Sequence, residues 1–163
     1  MRVSRDTPVP MIQPKTHPSF TPALTLVPEA ASATAQRCVL AMTRLASGVT
    51  ATAVADIFKR TRDRHRDLAI VGAMLFDGER FGLLLCGTSA QVDQTLAALA
   101  VDARQAPPVV LADGPNVPSW AARSWRSGWS EPDALAALAA ADAPRDDAAL
   151  QAWRELIGTS DLL

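Results

Sequence analysis

Two apolar runs joined by one turn signal constrain the fold of this chain more than any other feature. The stretch IVGAMLFDGERFGLLLCG, residues 70–87, has a strand-length apolar run on each side of Asp77-Gly78. Asp-Gly favours the tight turn of a hairpin, and it is expected to supply the positive φ values that such a turn needs. Because neither run alternates with polar residues, both strands are predicted to be buried. The residues predicted to form the apolar inner face are Ile70, Met74, Leu83 and Leu85.

The segments before the hairpin predict one strand and one helix. Residues 37–45 form a short apolar run with the length of a buried strand. Residues 47–67 then repeat apolar side chains at helical spacing, with Thr50 or Thr52 as the N-cap. The last turns of this helix carry five basic residues, which suits the negative end of the helix dipole.

The segments after the hairpin predict a second helix, two strands and a helical tail. A helix over residues 88–105 begins at Thr88 or Ser89, strands follow at 107–113 and 123–129, and two short helices break at Ala143-Pro144. The resulting order, β-α-β-β-α-β(-β) followed by helices, predicts an α+β fold. The expected form is a ferredoxin-like sandwich in which extra C-terminal helices cover the second face of the sheet.

The two cysteines are predicted to be free thiols. In the expected topology the first and third strands are central, parallel neighbours, with Cys38 near the start of one and Cys86 near the end of the other. About six residues at roughly 3.3 Å each would then separate them, well beyond disulfide reach. Buried thiols are typical of a reducing compartment, which predicts a cytoplasmic protein.

The composition divides the chain into three segments. Residues 1–35 hold six of the twelve prolines and are predicted to form an extended or disordered arm, or else a strap against a partner. Residues 36–130 form the sandwich domain, and residues 131–163 form a C-terminal helical extension. Four tryptophans are many for so few aromatic residues, and they are expected either to fill the core or to anchor an interface.

Charge and motif content exclude several classes of function. With 16 basic and 17 acidic side chains, the chain lacks the strong field that would attract nucleic acid or an anionic membrane. No apolar run approaches the roughly 20 residues that cross a bilayer, and no secretory signal follows the N-terminus. Neither a nucleophile–histidine pair with a supporting context nor a metal-ligand spacing is present, so no catalytic or metal site is predicted and the protein is expected not to be an enzyme.

Several motifs in this order resemble the BLUF domain, the family of sensors of blue light using flavin. VGAMLF at residues 71–76 is similar to the family's second-strand run, and FGLLLCG at 81–87 is similar to its third-strand motif F-x-Q-x-LEG. DARQ at 102–105 is similar to the D-x-RH that ends the second helix, and RSWRSGW at 123–129 to a late aromatic strand. The resemblance covers roughly residues 37–130.

The resemblance also shows which family residues this chain has lost. The tyrosine that donates an electron to the flavin falls at Ala41, and the glutamine that rearranges its hydrogen bonds is placed at Ala69. The Q and E of the third-strand motif are Leu83 and Cys86, and the asparagine that holds the flavin ring is His65. Because the chain contains no tyrosine, the family's photochemistry is not expected to run by its usual route.

These losses lead to the functional prediction. No cofactor is expected, and FAD, the family's cofactor, is the one serious candidate. Arg104, His65 and Arg64 would bind it if a flavin or a phosphate ligand is present, whereas a solvated His65 in a basic helix terminus is the simpler alternative. The predicted function is a degenerate BLUF-like regulatory domain that acts through a protein partner or as a homo-oligomer. The alternative is an FAD-binding blue-light receptor with altered chemistry.

Overall fold

The computed structural model describes residues 35–115, 117–119 and 124–162, so the predicted proline-rich arm lies almost entirely outside the described residues. Six strands and four helices occupy this part of the chain. The strands are β1 (Gln36–Arg44), β2 (Val71–Phe76), β3 (Arg80–Thr88), β4 (Val109–Gly114), β5 (Trp125–Trp129) and β6 (Asp161–Leu162). The helices are α1 (Ala51–Asp67), α2 (Ser89–Ala100), α3 (Ala136–Ala139) and α4 (Asp146–Thr159).

The strands form one mixed sheet with helices on both faces. The strand order is β4-β1-β3-β2-β5-β6; β2 and β5 are parallel, and the other neighbours are antiparallel. One face packs against α1 and α2 and includes the predicted inner face of the hairpin. The other face packs against α3 and α4. The predicted α+β, ferredoxin-like sandwich with C-terminal helices is confirmed.

The turn between β2 and β3 differs from its prediction. Phe76 pairs with Phe81, and the loop residues between them include Gly78, which has a φ of 99°. Asp77 does not have the positive φ that was predicted for it. It stabilises the turn through its carboxylate instead. Its Oδ1 accepts hydrogen bonds from the backbone N–H groups of Glu79 and Arg80 at 3.0 and 2.7 Å, which closes the turn as an Asx motif.

The prediction of free thiols is wrong, because Cys38 and Cys86 form a disulfide. β1 and β3 are antiparallel rather than parallel, so the start of β1 lies against the end of β3 and the two cysteines pair directly in the register. Their Cα atoms are 4.1 Å apart. The cysteines therefore give no evidence that the protein resides in a reducing compartment. A cytoplasmic location stays a prediction, and the cysteines no longer support it.

Side-chain caps decide where the two long helices begin. The Thr50 hydroxyl accepts a hydrogen bond from the backbone N–H of Ala53 at 3.3 Å, so Thr50 rather than Thr52 caps α1. Thr88 caps α2 in a capping box, in which the Gln91 side chain accepts a hydrogen bond from the Thr88 N–H at 2.8 Å. No helix in the described part of the chain is both long and apolar enough to cross a membrane.

Trp153 joins the C-terminal helices to the sheet. It lies on α4, is completely buried and packs over β3 at Gly82. A Cβ atom built on Gly82 would lie 2.4 Å and 2.8 Å from two atoms of the indole ring, so only glycine admits the ring at this distance. Trp153 therefore fills the core, as one of the two predicted roles has it. Of the other tryptophans, Trp129 is 52% exposed and Trp125 is half-buried, and Trp120 lies outside the described residues.

Substitution of Gly82 by alanine is expected to loosen α4 from the sheet. The added methyl group would displace the Trp153 ring, and overpacking of this kind costs about 1–3 kcal/mol in the free energy of unfolding. Urea unfolding of Gly82→Ala measures this loss, with Gly114→Ala as the control because a Cβ there meets nothing within 4 Å. Equal stability of the two variants would contradict the role given to Trp153.

Candidate functional site

A cleft between α1 and α2 brings the predicted site residues together. Its volume is about 120 Å³. Arg104, His65 and Arg64 all line it, although they come from two segments of the chain that are about forty residues apart. Other residues that line the cleft are Ile57, Thr61, Thr95, Leu99, Asp102 and Gln105.

His65 is buried in this cleft, so the alternative of a solvated histidine is wrong. Only 1% of its surface is exposed, and neither ring nitrogen has a hydrogen-bond partner among the described residues. Its ring lies against Trp125 of β5, with 3.8 Å between the ring centroids. Burial, and to a lesser extent the charge of Arg64, lower the pKa of His65 to about 4, so the ring is neutral at pH 7.

The burial of His65 follows from a periodicity that the sequence already contained. Residues on one face of a helix recur at three- and four-residue spacing. His65 lies four residues after Thr61, which is the last residue of the face predicted to be buried in the helix over residues 47–67. The histidine therefore faces the sheet rather than the solvent, despite its strongly basic neighbours. The residues of α1 that are buried on this face are Val54, Ile57, Thr61 and His65.

Gln105 is a second polar residue of the cleft, and the sequence analysis did not single it out. It stands where the resemblance has the histidine of D-x-RH, and that position was the one available signal. Its side chain is buried, and its Oε1 has no hydrogen-bond partner in the described part of the chain. Buried polar atoms are nearly always hydrogen-bonded in native proteins, so His65 and Gln105 together indicate a site for a polar ligand.

Arg104 is held by two carboxylates beside the cleft. Its Nε and Nη2 donate to Asp102 at 2.9 and 2.6 Å, and its Nη1 donates to Asp56 of α1 at 2.7 Å. These bonds lower the pKa of both carboxyl groups and raise the pKa of the guanidinium. Arg104 therefore ties α1 to the segment after α2. All three of its guanidinium nitrogens already donate hydrogen bonds to these two carboxylates.

Arg64 is the more available cation of the cleft. It is exposed at the cleft rim and makes no ion pair with any of the described residues. An arginine with free donors can bind a phosphate group bidentately. Of the two arginines predicted for a phosphate ligand, the structure thus leaves Arg64 better placed to bind it than Arg104.

Ala69, the position that the resemblance assigns to the rearranging glutamine, lies away from the cleft. Ala69 is exposed, has a φ of 52° in the turn after α1, and does not line the cleft, so a side chain there would not reach a ligand between the helices. Ala41 pairs instead with Leu83, the glutamine position of the third-strand motif, and both lie fully buried beneath the helices. Neither side chain offers an oxidisable ring or an amide.

The low pKa of His65 predicts that the ligand-free protein loses stability in mild acid. Between its unfolded pKa of about 6.5 and its folded pKa of about 4, the unfolded chain binds a proton that the folded chain does not. The free energy of unfolding is full above this window and falls by about 3 kcal/mol in total as the pH decreases through it. Urea unfolding across the window measures the loss, and His65→Phe is expected to flatten the profile; an equally steep profile in the variant would contradict this assignment.

Solved structures with the same fold include several BLUF proteins. BlsA in a photo-activated state has a TM-score of 0.59 and 13% identity, over 75% of this chain and 94% of that one. BlrB, a BLUF protein in its dark state, has a TM-score of 0.52 and 21% identity, over 66% and 80%. Klebsiella pneumoniae BlrP1 with FMN and cyclic diGMP has a TM-score of 0.50 and 16% identity, over 77% and 30%. The chain also spans only 24% of a bacterial light-regulated adenylyl cyclase.

No curated protein matches the chain in sequence. A family comparison, however, matches residues 38–128 to BLUF, described as sensors of blue-light using FAD. The expectation of no cofactor is therefore wrong, because that description names FAD as the family's cofactor. Because the match covers more than half of its residues, this chain belongs to the BLUF family, a family of sensory domains that use FAD to detect blue light.

Proposed function

We propose that this chain is a flavin-binding BLUF domain that has lost the family's photochemistry and acts on a protein partner. The observation that carries the proposal is the pair of buried residues in the cleft between α1 and α2. His65 and Gln105 hold three buried polar atoms without partners among the described residues. A flavin ring offers both N–H donors and carbonyl acceptors, so it can satisfy atoms of both kinds.

The polar and cationic side chains of the cleft fit a flavin, but the cleft must widen before a flavin can enter it. His65 and Gln105 would bind the ring, and Arg64 would bind the phosphate groups. The volume of about 120 Å³ is below the roughly 300–1,000 Å³ of small-molecule sites, so the exposed side chains at the rim, including Arg60 and Arg64, must move outward. When bound, the flavin would supply blue-light absorption and an acceptor for one electron.

The residues beneath the helices support the loss of the family's photochemistry. Ala41 and Leu83 face each other on β1 and β3, where the resemblance has the electron-donating tyrosine and the Q of the third-strand motif. Alanine cannot donate an electron and leucine cannot exchange hydrogen bonds. The whole sequence contains no tyrosine, so no tyrosine at a neighbouring position replaces this donor.

A route from the cleft to the surface supports a role in protein contact. Trp125 touches His65, and Trp129 lies four residues later on the same face of β5. Trp129 is half-exposed, and its ring centroid is 5.3 Å from that of Phe58. Exposed tryptophans are enriched at the centres of interfaces, so we propose Trp129 as the partner anchor and sensing rather than catalysis as the activity.

Flavin binding tests the role of the buried polar atoms. His65→Phe keeps a ring against Trp125 but removes both nitrogens, so the Kd for FAD is expected to rise about tenfold while the ligand-free protein gains about 1 kcal/mol in stability. Fluorescence titration and urea unfolding measure the two effects. Arg66→Gln, on the same helix but outside the cleft, is the control. Unchanged FAD affinity in His65→Phe would exclude this cleft as the flavin site.

A second titration separates the ring from the phosphate groups. Arg64→Gln is expected to weaken FMN and FAD binding several-fold and to leave riboflavin binding unchanged, because riboflavin has no phosphate for Arg64 to bind. An equal loss for all three flavins would mean that Arg64 acts through the shape of the cleft instead.

Blue-light illumination tests the photochemistry. The absorbance spectrum of the flavin-bound protein is expected to be the same before and after illumination, because Ala41 and Leu83 provide no donor and no amide. A reversible spectral change would instead support the second candidate, a light receptor with altered chemistry. The contact between Trp125 and His65 favours that candidate specifically, and Trp125→Phe would then abolish the change.

A further inference from the structure

A second, larger cavity lies on the opposite face of the sheet from the cleft. It has a volume of about 360 Å³, against about 120 Å³ for the cleft, and this lies within the range of small-molecule sites. Its apolar side is formed by Met42 of β1, Leu111 of β4 and Leu138 of α3, all of which belong to the core on this face. The cavity therefore lies where the C-terminal helical segment meets the sheet.

The charged residues around this cavity are all of one sign. Its described lining includes three arginines, Arg44, Arg80 and Arg145, and no aspartate or glutamate. The hydroxyl of Thr43 also lines it but already donates to the carbonyl oxygen of Ala106 at 2.5 Å. The cavity thus combines an apolar interior with a cationic edge, which is complementary to an anion with an apolar body.

Arg145 is the arginine with free donors. Arg80 is paired with Asp77 at 3.3 Å and has two further carboxylate partners, and Arg44 pairs with Glu79. Arg145 is exposed, makes no ion pair with the described residues, and donates only to the backbone oxygen of Pro144 at 3.4 Å. The acidic residues that follow it in the sequence, Asp146 and Asp147, do not line the cavity.

We propose that this cavity binds an aliphatic carboxylate of fatty-acid type. The hydrocarbon chain would lie on Met42, Leu111 and Leu138, and the carboxylate would accept hydrogen bonds from the guanidinium of Arg145. A single free guanidinium matches a carboxylate because its two parallel N–H groups fit the two oxygens. The site is separate from the cleft, since the sheet lies between them, and its ligand contacts α3. It goes beyond the proposed function and does not depend on flavin.

The experiment is a calorimetric titration of the full chain with decanoate. Saturable binding of one molecule per chain is expected, and Arg145→Gln is expected to raise the Kd at least tenfold because it removes the charged partner. Arg154→Gln is the matched control: it lies on α4, whose N-cap is Arg145, is exposed, and does not line the cavity. Ala139→Leu, which adds a larger side chain to the lining, is expected to weaken binding as well.

Two companion ligands test the chemistry of recognition. Decanol and decylammonium carry the same chain without the anion, and neither is expected to bind at concentrations that saturate with decanoate. Equal binding of decanol, equal losses in Arg145→Gln and Arg154→Gln, or no saturable binding of decanoate would each overturn the proposal. Because Arg145 is on the surface, thermal unfolding is expected to show that Arg145→Gln folds as the unsubstituted protein does.

Discussion

The rest of the structure depends on burying both faces of the β2–β3 hairpin. Its strands lie at the centre of the sheet between β1 and β5, and every residue from Gly72 to Phe76 and from Phe81 to Gly87 is buried. Because both faces of the hairpin are apolar, each face must pack against another part of the protein. Each large apolar side chain that is fully buried contributes about 1.5–3 kcal/mol to the free energy of unfolding, relative to an exposed one. Helices α1 and α2 provide that cover on one face, and α3 and α4 on the other. The cleft lies between α1 and α2 on the first face, and the cavity lined by Arg145 lies beside α3 on the second.

The turn of the hairpin is tied to the C-terminal helices. The Asp77 carboxylate closes the turn, and its second oxygen accepts a hydrogen bond from the backbone N–H of Leu135 at 3.2 Å, directly before α3. The segment leading into α3 is therefore fixed by the central hairpin. On the other face, Arg104 fixes α1 through Asp56, whereas the polar atoms of His65 and Gln105 lie between the helices without partners among the described residues. A buried polar atom without a partner reduces stability by about 1–3 kcal/mol, and the flavin binding proposed above would remove that cost.

Local patterns predicted the elements and most of the candidate site. The starts of the two long helices followed from threonine caps and apolar spacing, but the second of them ends at Ala100 and not at residue 105 as predicted. The order of strands and helices was enough to predict the sandwich and the covering of its second face. His65, Arg64 and Arg104 were proposed together and do line one cleft. The burial of His65 was misjudged because the basic residues around it outweighed the four-residue spacing that places it on the inner stripe of α1.

The prediction for the cysteines failed because it depended on the relative direction of two neighbouring strands. β1 and β3 are antiparallel and not parallel, so Cys38 and Cys86 are direct partners. The same pairing places Leu83 beside Ala41. The expectation of no cofactor failed for a different reason, because it rested on lost side chains alone, whereas the family description names FAD.

The sequence by itself determined the secondary structure, the apolar faces and the absence of tyrosine, because spacing and composition are properties of neighbouring residues in the chain. Only the tertiary structure decided which residues meet across the sheet, which polar atoms remain without partners, and where the cationic cavity lies under α3. Those features depend on strand direction and register, and these are set by packing energies between segments that are distant in sequence.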